Sequence, residues 1–249
     1  MSAASATNAT SSTRSSTLRQ HAPDLWTSQM PFAKAGFEMG ARTTIVRLPE
    51  DDLAGGGLLV HSPIELSLAF KKEVEALGEV RHIVTPSHHH HAHLWQWAQA
   101  FPEATVWGAP GLNSATAKTK LHDTLDGTPR GAWNRVLDQT TIDGNTLDRE
   151  IVFLHLPSRT LIIADLCFNI SSRNTSLMTK VAAKSLGVLD TLSPSRAFKV
   201  ATADKDALRA SIRRILDWDF DRIILSHGEN VETNGKAKLR HAFAWLFAA

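Results

Sequence analysis

Two apolar runs, Thr43 to Leu48 and Leu58 to His61, open the patterned part of the chain. Both are short, rich in β-branched and aliphatic residues and free of Gly and Pro inside, so each reads as a β-strand. The second runs into Ser62-Pro63-Ile64-Glu65, where Ser can cap, Pro can take the first helical position and Glu can close a capping box. A helix is therefore expected to start there. Leu66, Phe70, Val74 and Leu77 recur at helical spacing up to Gly78 and give that helix one apolar face. Val80 to Thr85 returns as a strand that breaks at Pro86. Leu94, Trp97, Ala98 and Phe101 then form the stripe of another helix, stopped by Pro102, and Ala104 to Trp107 reads as a short strand.

Residues 108 to 145 are rich in Gly, Thr, Asp and Asn with little periodicity, which predicts an extended loop region able to carry specificity. Glu150 to His155 and Thr160 to Leu166 form a hairpin around Leu156-Pro157-Ser158-Arg159. Residues 171 to 200 read as a long polar, partly helical connection. Leu208, Ile212 and Ile215 mark a helix, and Arg222 to Leu225 a buried strand ending in Ser226-His227-Gly228. Leu239, Ala242, Phe243, Leu246 and Phe247 mark a terminal amphipathic helix. Strands and helices mix in two successive halves, the pattern of an α/β protein without internal repeats.

Composition narrows the function classes. A chain of 249 residues with 43 % hydrophobic content can build one large α/β domain. We expect residues 1–20, nearly all Ser, Thr and Ala with Arg14 and Arg19, to be a disordered tail, and residues 21–249 to be that domain. The acid-free, Ser-rich start also fits an organelle transit peptide, while the lack of an apolar h-region argues against a secretory signal. A net charge of +2 with no basic stripe speaks against nucleic acid as a partner. No stretch approaches the roughly 20 apolar residues of a membrane span, so no membrane partner is expected either. The single cysteine, Cys167, rules out an internal disulfide and makes a reducing, cytoplasmic setting the default. The expected partner is a small-molecule substrate, with the oligomeric state left open.

Candidate chemistry sits at three strand ends. Residues 88–93 read His-His-His-His-Ala-His, and neutral imidazole is the commonest side-chain ligand for transition metals. On an extended segment His88 and His90 would face one ion, His89 and His91 would face away, and His93 would follow one helical turn beyond His90. The plainer reading is a solvated helix start, or a tract that scavenges metal as any oligo-histidine does. Asp165 and His227 end two further apolar runs; the plainer reading is a helix cap or turn residue for Asp165 and a turn residue before Gly228 for His227. His155 is tempting as another ligand, but in the hairpin it lies near the turn, roughly 17 Å along the strand from the level of Asp165. That register sets Glu150 across from Asp165 instead, as a replacement ligand, a general base or a surface charge. His61 and His82 read as structural, and His21, His122 and His241 carry no motif. Cys167 reads as a small buried hydrophobe, and of Trp95, Trp97, Trp107 and Trp133, which could wall a pocket, the first three read more plainly as core.

His88-x-His90-x-Ala92-His93 resembles the His-x-His-x-Asp-His signature of the metallo-β-lactamase superfamily, with Ala92 where that family has Asp. Leu161-Ile162-Ile163-Ala164-Asp165 resembles its strand ending in Gly-Asp, and Ile224-Leu225-Ser226-His227-Gly228 its strand ending in a ligand His. The resemblance implies a four-layer αββα sandwich and metal ligands at His88, His90, His93, Asp165 and His227, with Asp165 bridging and His227 on a second ion. Loss of Asp at position 92 implies one well-held ion and a weaker partner. Val60-His61-Ser62-Pro63, Ala109-Pro110-Gly111-Leu112 and Pro157-Ser158-Arg159-Thr160-Leu161 are further similar to a branch catalogued only as a domain of unknown function, in which the first and last signature histidines are often absent. The implied activity is metal-dependent hydrolysis of an ester, lactone, amide or thioester. Asp165 would orient the nucleophile and Glu150 would move protons, with Zn2+ as the default ion and Fe or Mn as alternatives. The rival is a non-catalytic scaffold or ligand-binding protein on the same fold, and a di-iron redox enzyme ranks last.

Overall fold

The structure, a computed structural model, describes residues 18–50, 55–147, 149–173 and 175–248. In chain order the first half contains β1 (Arg19–Ala22), β2 (Leu25–Met30), the small hairpin β3 (Ala33–Lys34) and β4 (Phe37–Glu38), β5 (Ala41–Arg47) and β6 (Leu58–His61). It continues with α1 (Leu68–Leu77), β7 (Val80–Val84), α2 (Leu94–Ala100), β8 (Thr105–Gly108), α3 (Ser114–Ala117) and β9 (Asp123–Thr124). The second half contains β10 (Leu137–Thr141), β11 (Ile151–His155), β12 (Thr160–Ile163), α4 (Leu177–Leu186) and α5 (Arg196–Val200). It ends with α6 (Lys205–Asp217), β13 (Arg222–Leu225), α7 (Gly235–Ala242) and α8 (Ala244–Phe247). A seven-stranded sheet has the order β1-β2-β5-β6-β7-β8-β9, and a four-stranded sheet the order β10-β11-β12-β13.

Alternation along the strands explains the layering. In β11, Ile151 and Phe153 point into a cluster shared with Leu25, Val46, Leu59 and Val84 of the other sheet, so the two sheets pack face to face. The intervening Val152 and Leu154 point the other way, onto Leu208, Ile212 and Ile215 of α6 and Leu239 of α7. In β6, Leu58 and Val60 face Phe70 and Val74 of α1 and Leu94 and Trp97 of α2, while Leu59 faces inward. Helix, sheet, sheet and helix are thus stacked in the expected αββα order. Each such aliphatic or aromatic side chain contributes about 1.5–3 kcal/mol on leaving water.

Several expectations shift. Helix α1 begins at Leu68 with Ser67 as its cap, the Ser67 hydroxyl accepting from the Phe70 N–H, and not at Ser62. Ser62 itself has φ 57°, in the left-handed region that excludes a helix start. Residues 108–145, expected as loop, include α3, β9 and β10. Trp95, expected in the core, is 41 % exposed on α2, because the buried face of that helix is taken by Leu94 and Trp97. The segment before Thr43 contributes two paired strands, and β1 begins at Arg19, so ordered structure starts before residue 21. The expected tail otherwise falls on residues 1–17, outside the described residues. Among those described, no helix is long and apolar enough to cross a membrane.

Candidate metal centre

Strands β6 and β7 run parallel in one sheet, and β12 and β13 run parallel in the other. Their carboxyl ends meet at one edge of the sandwich, where four loops supply Ser62, the 87–93 turn, Asp165 and His227. The Nε2 atoms or carboxylate oxygens of His90, Asp165 and His227 lie within 4.8 Å of one another. His90 Nε2 stands 3.1 Å from Asp165 Oδ2, and His227 Nε2 stands 3.6 Å from Asp165 Oδ1.

Each member of this group is fixed from behind. His227 Nδ1 is 2.5 Å from the Gly40 carbonyl oxygen, which only accepts, so the proton of the neutral ring sits on Nδ1 and the Nε2 lone pair faces Asp165. The ring is also stacked on Phe168 at 5.6 Å and 12°, and on Phe32 at 6.0 Å and 28°. Buried Arg42 donates to the carbonyls of Leu225 and Gly228 on either side of His227, the second at 2.8 Å. His90 Nδ1 lies 2.5 Å from the Ser62 hydroxyl, which orients that ring with Nε2 toward Asp165. Asp165 Oδ2 accepts from the Ser87 hydroxyl at 2.9 Å.

Burial would raise the Asp165 pKa, but the charge and hydrogen bond of His90, with His227 behind it, hold its carboxyl well below the usual range. Burial foremost, and the neighbouring His90, lower His227 to about 4, so its ring is neutral near pH 7. A carboxylate, the neutral His227 ring and the His90 imidazole, whose Nε2 lone pair becomes available when an ion displaces the proton it shares with Asp165, are the chemistry of a divalent-ion site. These residues fit a zinc or iron(II) ion held by two histidines and one carboxylate.

The remaining candidates are placed otherwise. Residues 88–93 form turns rather than extended chain, with the His90 N–H donating to the Ser87 carbonyl and the Leu94 N–H to that of His91. A repeat near three residues replaces the repeat of two, and this separates His88 from His90. His88 Nε2 lies 2.7 Å from the Pro110 carbonyl oxygen, and His88 is not in the converging group. His93 lines the adjoining cavity without joining that group, as do His89 and His91, which the alternation had turned away from the site. A two-ion arrangement with His88 on one side and His93 on the other is therefore not what the described residues assemble.

Glu150 stands where the hairpin register put it, but with another task. Its buried carboxylate accepts the backbone N–H groups of Ala164, Asp165 and Leu166 at 2.6, 2.8 and 2.7 Å. It holds the turn that presents Asp165 and is neither in the ligand group nor placed as a base. His155 is paired with Thr160 and lies 2.6 Å from the Ser158 hydroxyl, a structural residue as read from the sequence. Ser62, Ser87, Arg42 and the Gly40 carbonyl escaped sequence reasoning. The one available signal is Ser62-Pro63 directly after a buried strand, a pattern that also predicts a helix start.

The family model described as Domain of unknown function (DUF4336) matches residues 24–199. No curated protein matches the chain. Among solved structures, a metallo-beta-lactamase from Pontibacter korlensis aligns over 94 % of this chain and 100 % of its own, at 14 % identity and a TM-score of 0.62. The metallo-beta-lactamase FIM-1 from Pseudomonas aeruginosa in the mono-zinc form aligns over 93 % and 94 %, at 13 % identity and 0.62. A metal-soaked Flv1 flavodiiron core from Synechocystis sp. PCC6803 aligns over 93 % of this chain and 61 % of its own, at 12 % identity and 0.64. At such identities the likeness establishes the fold alone. The chain belongs to the DUF4336 family, and its fold is that of the metallo-β-lactamases.

Proposed function

We propose that this protein is a metal-dependent hydrolase that binds one divalent ion through His90, Asp165 and His227 and cleaves an ester, lactone, amide or thioester of a small molecule. The observation that carries the reading is the convergence of two imidazole Nε2 atoms and one carboxylate within 4.8 Å, each fixed by a further hydrogen bond. The chemistry such an ion supplies is Lewis acidity and the acidification of water toward a pKa of about 7. Around it, Ser62 and Gly40 fix the two ring orientations, and Ser87 holds one carboxylate oxygen of Asp165. The other oxygen is directed at His227, within reach of a nucleophile that Asp165 would orient. Zinc is the default for two histidines and a carboxylate in a hydrolase, and iron or manganese suits the same donors.

Ala92, where the resembled signature has a carboxylate, favours the second reading, a scaffold or ligand-binding protein that keeps the fold without turnover. Metal content separates the two. Purified protein is expected to carry about one equivalent of ion and to lose it on His90→Ala, Asp165→Asn or His227→Ala, with hydrolysis of an ester and lactone panel abolished by chelator. Protein that stays metal-free after zinc, iron and manganese loading overturns the proposal.

A further inference from the structure

Beside the His90–Asp165–His227 group opens a cavity of about 720 Å3. Its walls are largely apolar: Met30, Met39, Ile142, Leu166, Phe168 and Phe198 all line it. Phe32 and Leu147 line it as well and are 39 % and 48 % exposed, so the apolar wall continues out to solvent. Polar lining comes mainly from the 89–93 turn, Ser62, Ser195 and the ligand group itself. Of the other charged lining residues, Lys34 is exposed on the β3–β4 hairpin, and the Glu150 carboxylate accepts three backbone N–H groups.

A sugar or peptide bound here would bury hydroxyls and amides against methyl and phenyl groups that cannot pair with them, an expensive exchange. A hydrocarbon chain has no such loss and gains about fourfold in affinity for each methylene removed from water. From this contrast we infer that the substrate is an acyl compound, an ester, lactone or thioester of a straight-chain fatty acid, with the alkyl chain along the Phe168, Phe198 and Leu147 wall and the acyl carbon toward the ligand group. The inference rests on the hydrolase reading for its reaction, but its binding half stands apart from turnover.

Calorimetric titration of the zinc-loaded protein with butanoate, hexanoate, octanoate and decanoate reads the wall directly. Affinity is expected to rise about fourfold per methylene, and Phe198→Ser should flatten the series. Leu147→Ser, at an exposed site that leaves the core intact, should weaken decanoate by a factor at least fivefold larger than it weakens butanoate. The same series as p-nitrophenyl esters should show kcat/KM rising in parallel. An affinity independent of chain length in the wild type overturns the acyl assignment even if short esters are cleaved. A rising affinity with no ester cleaved overturns the hydrolase reading alone and leaves an acyl-binding pocket.

Discussion

Substituting Ser62 separates the cost of a backbone conformation from the work of a hydroxyl. At φ 57° a residue bearing a Cβ costs about 1 kcal/mol or more relative to glycine, while glycine returns up to about 1 kcal/mol of that through the freer unfolded chain. The hydroxyl contributes about 1 kcal/mol through its bond to His90 Nδ1 and fixes which nitrogen of that ring faces Asp165. Ser62→Ala and Ser62→Gly remove the same hydroxyl, but only glycine relieves the left-handed backbone. Both should weaken metal binding by a similar 10- to 100-fold, the usual effect of removing a group that orients a ligand imidazole. They should differ in stability by up to about 1 kcal/mol, a Tm difference of about 2–4 °C with glycine the higher. Competition with a chromophoric chelator measures the first quantity, and thermal melts of chelator-treated protein the second. Wild-type affinity in both variants would refute an orienting role for Ser62. Affinities differing more than threefold between the two would show that the backbone, not the hydroxyl, governs the site.

Two other perturbations probe what surrounds the centre. Glu150→Gln removes charge from an acceptor of three N–H groups and should cost about 2–4 kcal/mol by denaturant titration, with weaker ion binding although Glu150 touches no ion; unchanged stability would refute the positioning role. Burial lowers His82 and His155 to about 4 from an ordinary 6.5, so between those values the unfolded chain binds protons that the folded chain refuses. Stability should therefore be full above about pH 6.5 and fall toward pH 4, by up to about 1.4 kcal/mol per pH unit for each ring, and a Tm constant from pH 7 to 5 would contradict this.

Asp165 and His227 were legible because each ends a run of buried aliphatic residues, and β13 begins and ends where that run does. Glu150 was found from hairpin register, since the pairing of Phe153 with Ile162 carries through to residues 150 and 165. Its role was not legible, because three backbone donors converging on one carboxylate leave no trace in residue types. The histidine run misled for a related reason. Imidazoles are as compatible with turns as with extended chain, and the choice between a repeat of two and of three was made by the Ser87–His90 and His91–Leu94 hydrogen bonds. Strand β2 was hidden because Thr27 and Ser28 are polar yet buried, so the usual contrast of apolar in and polar out is missing.

His90 enters from the seven-stranded sheet, while Asp165 and His227 enter from the four-stranded one. That same rim already carries polar ties between the halves: the Arg42 guanidinium to the carbonyls of Leu225 and Gly228, Ser87 to Asp165, and the Ile151 N–H to the Pro86 carbonyl. An ion gripped by both halves would act as a rivet driven through the sandwich at this seam. Its affinity would then be repaid as resistance to the two leaves parting, about 2.7 kcal/mol when free ion stands at a hundred times its dissociation constant.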